Sequence, residues 1–191
     1  MRDPKATHSI VDQIAASAPR IDGLIAAAGI LDEAPALEYT STRFQRTTDI
    51  NVLGVFLAAQ ACAKHMLRDG KGGSILLIAS MSASIVNRGL AMAPYNASKA
   101  AVVQLGRSLA AEWGRGRVRV NSLSPGYITT VMVERLFEKE PERRAEWEGQ
   151  NMLGRLSTPE EFRGAAVFFM SEASSFMTGS EMVVDGGHSV W

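Results

Sequence analysis

Residues 82–99 read Ser82-Ala-Ser-Ile-Val-Asn-Arg-Gly-Leu-Ala-Met-Ala-Pro-Tyr95-Asn-Ala-Ser-Lys99. They follow the apolar run Ser74-Ile-Leu-Leu-Ile-Ala-Ser80, which reads as a buried strand, and they open into an alanine-rich helix. Tyr95 and Lys99 are four apart and share one helix face. A fixed ammonium beside a phenol favours the phenolate, and so lowers a pKa that is otherwise about 10. Ser82, just past the strand end, can aim a hydroxyl at the same place. The three side chains suit proton exchange with a carbonyl oxygen. Taken alone, the Tyr–Lys spacing more often describes a pair on a helix surface.

Outward from this stretch the chain alternates helices and strands. A helix is expected over 6–18, with Ile10, Val11 and Ile14 on its apolar face and Pro19 at its end. A short buried strand follows in Ile21-Asp-Gly-Leu-Ile-Ala-Ala-Ala-Gly29, where small terminal residues let a flat ligand approach the backbone. Residues 30–42 form a loop, and a helix runs from about Ser41 to Arg68. Asn51 sits in its middle, where an amide competes for backbone groups and is either a tolerated polar residue or the place of a local distortion. Gly70-Lys-Gly-Gly73 turns into the strand over 74–80. A helix is expected over 95–113, a strand over 118–124, a helix from Thr158-Pro-Glu-Glu161 to Met170, and a last strand over 178–185. Residues 127–153 differ in character. Met132, Val133, Leu136 and Phe137 are apolar and 138–148 are dense in charge, the pattern of an exposed helical lid held by Met152-Leu153 or of a plain amphipathic surface helix.

The fold class expected is α/β, a three-layer parallel sheet of Rossmann type with right-handed crossovers, in a single domain over 1–191. Lys plus Arg equals Asp plus Glu at 20 each, so no net charge argues for nucleic acid or an anionic membrane as partner. Cys62 is the one cysteine and reads as core. His8, His65 and His188 have no metal-ligand spacing, so no metal is expected. No run reads as a signal peptide or a bilayer span, which makes the cytoplasm the default compartment.

The order strand, Ser82, Tyr95, Lys99 within Tyr95-Asn-Ala-Ser-Lys-Ala100 resembles the short-chain dehydrogenase/reductase family. Asp49-Ile-Asn-Val-Leu-Gly-Val-Phe56 and Pro125-Gly-Tyr-Ile-Thr-Thr130 resemble two more of its motifs, in the same order. Asp22-Gly-Leu-Ile-Ala-Ala-Ala-Gly29, Asn151-Met-Leu-Gly-Arg-Leu-Ser157 and Ser175-Phe-Met-Thr-Gly179 are similar to its ketose reductases and polyol dehydrogenases, among them sorbose reductase, L-xylulose reductase, mannitol dehydrogenase and D-arabinitol dehydrogenase.

The resemblance implies hydride transfer between NADP, or NAD, and a secondary alcohol or ketone. It implies that Ser82 binds the carbonyl oxygen, that Tyr95 exchanges the proton, and that Lys99 lowers the Tyr95 pKa and binds the nicotinamide ribose. Asn51 would hold a relay water. Ala28, Gly29, Ser80, Ala79, Pro125, Gly126, Ile128 and Thr130 would lie along the cofactor, and Ser84 and Asn87 would face the substrate. Where the family usually reads Asn-Asn-Ala-Gly, this chain has Ala26-Ala27-Ala28-Gly29. Relatives carry three more strands, two helices and the glycine-rich phosphate loop before the point matching Arg2-Asp3. The expectation is therefore an N-terminally truncated chain retaining strands four to seven, with strand 23–28 turned into an edge that exposes Leu24 and Ile25. Such a chain is either a working reductase of ketoses, polyols or secondary metabolites, or a catalytically impaired remnant. Homo-oligomers through the helices at 41–68 and 95–113 are implied as well.

Overall fold

Strands β1 (Gly23–Ala26), β2 (Gly73–Ile78), β3 (Val118–Pro125) and β4 (Glu181–Val184) form one sheet in chain order, every pair parallel. The computed structural model describes residues 3–190; Met1, Arg2, Trp191 and the side chain of Met132 lie outside the described residues. Register follows from the two-residue alternation of side chains. Ile75 and Leu77 of β2, with Val118 and Val120 of β3, face one side and pack with Val55, Ala59, Val102 and Leu109. Leu76 and Leu123 face the other side and meet Phe169. A strand buried on both faces is apolar at consecutive positions, as Ile75-Leu-Leu-Ile78 is.

Helices cover the two faces as three layers. Helix α1 (Pro4–Ser17) lies on α3 (Gly54–Arg68), and α3 and α4 (Ala93–Trp113) lie on the sheet. Gly106 brings α4 close, since a Cβ there would stand 2.9 Å from Ser122 Oγ. On the opposite face α7 (Arg163–Met170) packs against β2. Between α2 (Ser41–Thr48) and α3, residues Asp49–Leu53 form a π-helical turn, so the distortion expected at Asn51 is present. This run, Ser41–Arg68, is long and apolar enough by length and composition to cross a bilayer, contrary to the reading that no run is; yet 56% of its apolar window is buried in the protein, as in a core helix.

Several expectations need correcting. Helix α1 starts at Pro4, because the Asp3 carboxylate accepts from the N–H groups of Lys5 (2.9 Å) and Ala6 (3.2 Å) and caps it. Of its apolar face only Val11 is buried; Ile10 and Ile14 are 57% and 52% exposed, since α1 meets α3 along a single strip. Strand β1 is an edge and Ile25 is exposed as expected, but Leu24 is half-buried against the main core.

Residues 127–153 contain α5 (Val131–Lys139) and α6 (Glu142–Gly149), with a small core of their own. Trp147 stacks on Tyr127 at 4.1 Å and meets Phe137 edge-on at 5.5 Å. At Met152-Leu153 both side chains are exposed, Met152 lies against Gly187, and the Leu153 N–H donates to the Gly186 carbonyl at 3.1 Å.

Candidate active site

The C-terminal end of β2 runs directly into the site. Ser80 follows in extended backbone and caps the 3₁₀ turn Met81–Ala83, its Oγ accepting from the Ser82 N–H at 3.2 Å. The Ser80 hydroxyl also donates to Ser82 Oγ at 3.1 Å. Tyr95 stands in the first turn of α4, near enough to Ser80 for that serine to draw its phenol pKa down against the effect of burial. Spacing along the sequence pointed to Ser82 as the serine beside Tyr95. In the structure both serines are buried at the end of β2 and bonded to each other across the 3₁₀ turn, and Ser80 is the one that acts on the Tyr95 phenol pKa.

Lys99 lies one turn after Tyr95 with its Nζ 5.7 Å from the Tyr95 ring centre. It donates to the Ile78 carbonyl at 2.9 Å and is 5% exposed. Burial brings the Lys99 ammonium down to about 8. Burial also pushes the Tyr95 phenol up, against a smaller downward pull from the Ser80 hydrogen bond. Removing each group from water disfavours its charged form, which is the leading cause of both shifts.

Asn51 is fully buried and acts as a clasp. Its Oδ1 accepts from the Ile30 N–H at 2.8 Å, and its Nδ2 donates to the Ile30 carbonyl and to Ser98 Oγ, both at 2.9 Å. Ser98 in turn donates to the Tyr95 carbonyl at 2.7 Å. The amide thus ties the segment after β1 to the first turns of α4, and Ser98 is a link that the sequence reading missed.

The exposed Gly29 borders the same place. A Cβ there would stand 3.4 Å from both Asn51 Oδ1 and Lys99 Nζ. With half-buried Ala28 before it, the backbone is open to a flat group. Across the strand ends, Pro125 closes β3 and Gly126 lets β4 come close, since a Cβ on it would be 2.7 Å from Asp185 Cα. Ile128 forms a parallel bridge to Ser157, and Thr130 caps α5 by accepting from the Val133 N–H at 3.3 Å. Of the two residues expected to face substrate, Ser84 is exposed. Asn87 is buried and donates to the Tyr127 hydroxyl at 3.3 Å, so it braces the loop. No cluster of three or more metal-ligating side chains exists among the described residues.

These groups fit the nicotinamide-ribose half of a dinucleotide: a buried ammonium, a phenol and an open Gly29 backbone meet at strand ends. Among the described residues no strand is followed by a glycine-rich turn opening directly into an α-helix, the usual grip on a pyrophosphate.

A family model described as enoyl-(acyl carrier protein) reductase matches residues 1–189. The chain belongs to the short-chain dehydrogenase/reductase family. Among curated members it is 46% identical over 175 residues to the short chain dehydrogenases/reductase notP' of Aspergillus versicolor, covering 90% of this chain and 60% of that one. It is 41% identical over 169 residues to the ribulose-forming D-arabinitol 2-dehydrogenase of Candida albicans (strain WO-1), covering 88% and 60%. The chain thus spans about three-fifths of the length of these short-chain dehydrogenases. The solved gluconate 5-dehydrogenase of Burkholderia cenocepacia J2315, in complex with NADP and tartrate, superposes with a TM-score of 0.93 at 31% identity, covering all of this chain and 73% of that one. Members of the family are oxidoreductases acting on alcohols and ketones, polyol dehydrogenases among them.

Proposed function

We propose that this short-chain dehydrogenase/reductase interconverts a secondary alcohol and a ketone with NADP or NAD, on a small polyhydroxylated substrate of the ketose/polyol type. The observation that carries the reading is the buried Lys99 ammonium 5.7 Å from the Tyr95 ring at the end of β2, where Ser80 and Ser82 are bonded to each other. When bound, the nicotinamide supplies or accepts the hydride. Lys99 and Tyr95 would hold its ribose. Ala28, Gly29, Pro125, Gly126, Ile128 and Thr130 would border it.

In reduction the substrate carbonyl oxygen takes a hydrogen bond from Ser80, whose O–H turns away from Ser82. The carbonyl carbon gains the hydride and the oxygen gains the Tyr95 proton, giving the secondary alcohol and a phenolate. The Lys99 ammonium stabilises that phenolate, and Ser82 holds Ser80 in place throughout. Asn51 keeps α4 and the segment after β1 in register, and its π turn is where a relay water would sit. Oxidation runs the same steps backwards. The setting would be cytoplasmic, with self-association through α3 and α4.

The test follows NADPH or NADH consumption with a panel of ketopentoses, ketohexoses and cyclic ketones. Tyr95→Phe should abolish turnover and leave cofactor binding measurable by nicotinamide fluorescence. Undiminished reduction by Tyr95→Phe would sink the reading. The impaired-remnant alternative predicts no saturable fluorescence change with either nucleotide.

A further inference from the structure

The segment after Ser82 builds one wall of an open cavity of about 510 Å³. Ile85, Val86 and Arg88 come from that segment, Gln150 from just past α6, and His188 and Ser189 from the C-terminal turn. The wall is anchored beside the reacting end: the Ile85 carbonyl accepts from the amide of Asn96, the neighbour of Tyr95, at 3.3 Å. Buried Asn87 fixes the next turn to Tyr127, and Gly89, at φ +79°, turns the chain just after Arg88. Arg88 is thus an exposed cation on a fixed backbone.

No carboxylate among the described residues lies within ion-pair distance of Arg88, whereas Arg143 and Arg144 on the lid are both ion-paired. None of the lining residues is acidic. Asp185 is turned to the backbone, accepting from the N–H groups of Gly187 at 3.0 Å and Ser189 at 2.8 Å. The Glu146 carboxylate lies against Gly89, where a Cβ would stand 3.3 Å from its Oε1, and accepts from the Gln150 amide at 3.4 Å. His188 is committed through Nδ1 to Asn151 Oδ1 at 3.0 Å, and burial keeps it on the neutral side near pH 7. The cavity therefore offers one guanidinium amid neutral hydrogen-bonding groups. That combination recognises a polyhydroxylated molecule ending in a planar anion, because a guanidinium binds a carboxylate with two parallel hydrogen bonds.

We propose that Arg88 holds a carboxylate at the far end of the substrate, so that the cavity selects polyhydroxylated keto acids over neutral ketoses. The proposal rests on the ketone–alcohol reading above and narrows its substrate class.

Calorimetric titration with 5-keto-D-gluconate and L-sorbose tests it. The two share one skeleton and differ in a terminal carboxylate against a hydroxymethyl. The acid should bind saturably and about tenfold tighter. Arg88→Gln should bring it down to the sorbose level, and Arg88→Lys should keep part of the preference. Equal affinities, no saturable binding of the acid, or a preference that survives Arg88→Gln each overturn the proposal. Tyr95→Phe should keep the preference intact, which separates the two claims. Selective binding without ketone reduction would fail the reaction and spare the anion site; reduction with no preference for the acid would do the reverse.

Discussion

Ser80 is tied twice to Ser82, its Oγ accepting from the Ser82 N–H at 3.2 Å and its hydroxyl donating to Ser82 Oγ at 3.1 Å, and it draws down the pKa of the nearby Tyr95 phenol. The two serines therefore have different duties. Ser80→Ala should lower ketone reduction by about 10²–10³-fold, the range for losing a donor to the reacting oxygen. Ser82→Ala leaves the Ser80 hydroxyl in place but less fixed, and should cost about tenfold or less in kcat with little change in KM. Steady-state kinetics of the two variants check the order. Equal losses, or a larger loss at Ser82, would return the leading role to Ser82.

Lys99 makes stability depend on pH in a defined direction. Its folded-state pKa of about 8 lies below the unfolded value of 10.5, so between those values the unfolded chain binds more protons. Stability carried by this group should therefore rise as pH increases from 8 towards 10, as the buried charge is relieved. Below pH 8 the full cost of the buried ammonium applies, on the order of 3 kcal/mol. Above about 10 the raised phenol of Tyr95 acts in the opposite sense. Lys99→Met should be more stable than the parent at pH 7 and lose this slope. Urea unfolding at pH 7.5 and 9.5 checks both.

Asn51→Ala removes three buried hydrogen bonds at once and leaves the Ile30 N–H and carbonyl without their partner. The expected loss is about 2–4 kcal/mol, given 1–3 for each buried group left unpaired and some local relaxation. Asn51→Asp should be no better, since a carboxylate would face the Ile30 carbonyl. Denaturant midpoints measure the loss. A change below about 0.5 kcal/mol would show that the clasp is not needed for the fold.

Trp147 joins the lid helices to Tyr127, and its loss should be felt locally. Trp147→Ala should open α5 and α6 to limited proteolysis within 131–150 while the sheet unfolds at nearly the parental denaturant concentration. Cleavage elsewhere, or a large fall in global stability, would mean that the small core of the lid is continuous with the main one.

Much of this architecture was legible as pattern. Ile75-Leu-Leu-Ile78 announced a strand covered on both faces, and Asn51 in an apolar helix announced a break in helical geometry that is the π turn. Tyr95 and Lys99 were legible because four-residue spacing fixes a shared helix face whatever surrounds it. The reading over-buried Ile10 and Ile14, because periodicity shows which face is apolar but not how wide a strip the neighbouring helix covers. The stacking of Tyr127 on Trp147 was not legible, since it joins residues twenty apart that no local pattern links.

By itself the sequence determined the order of strands and helices, the chemistry-bearing residue types and the placement of Tyr95 and Lys99 at a strand-to-helix turn, all set by spacing within one element. Tertiary structure alone decided that Ser80 and Ser82 bind each other, because a three-residue 3₁₀ turn folds the chain between them. It also decided that Lys99 is buried and its pKa lowered, because desolvation depends on how much protein closes around a group, which residue spacing does not encode.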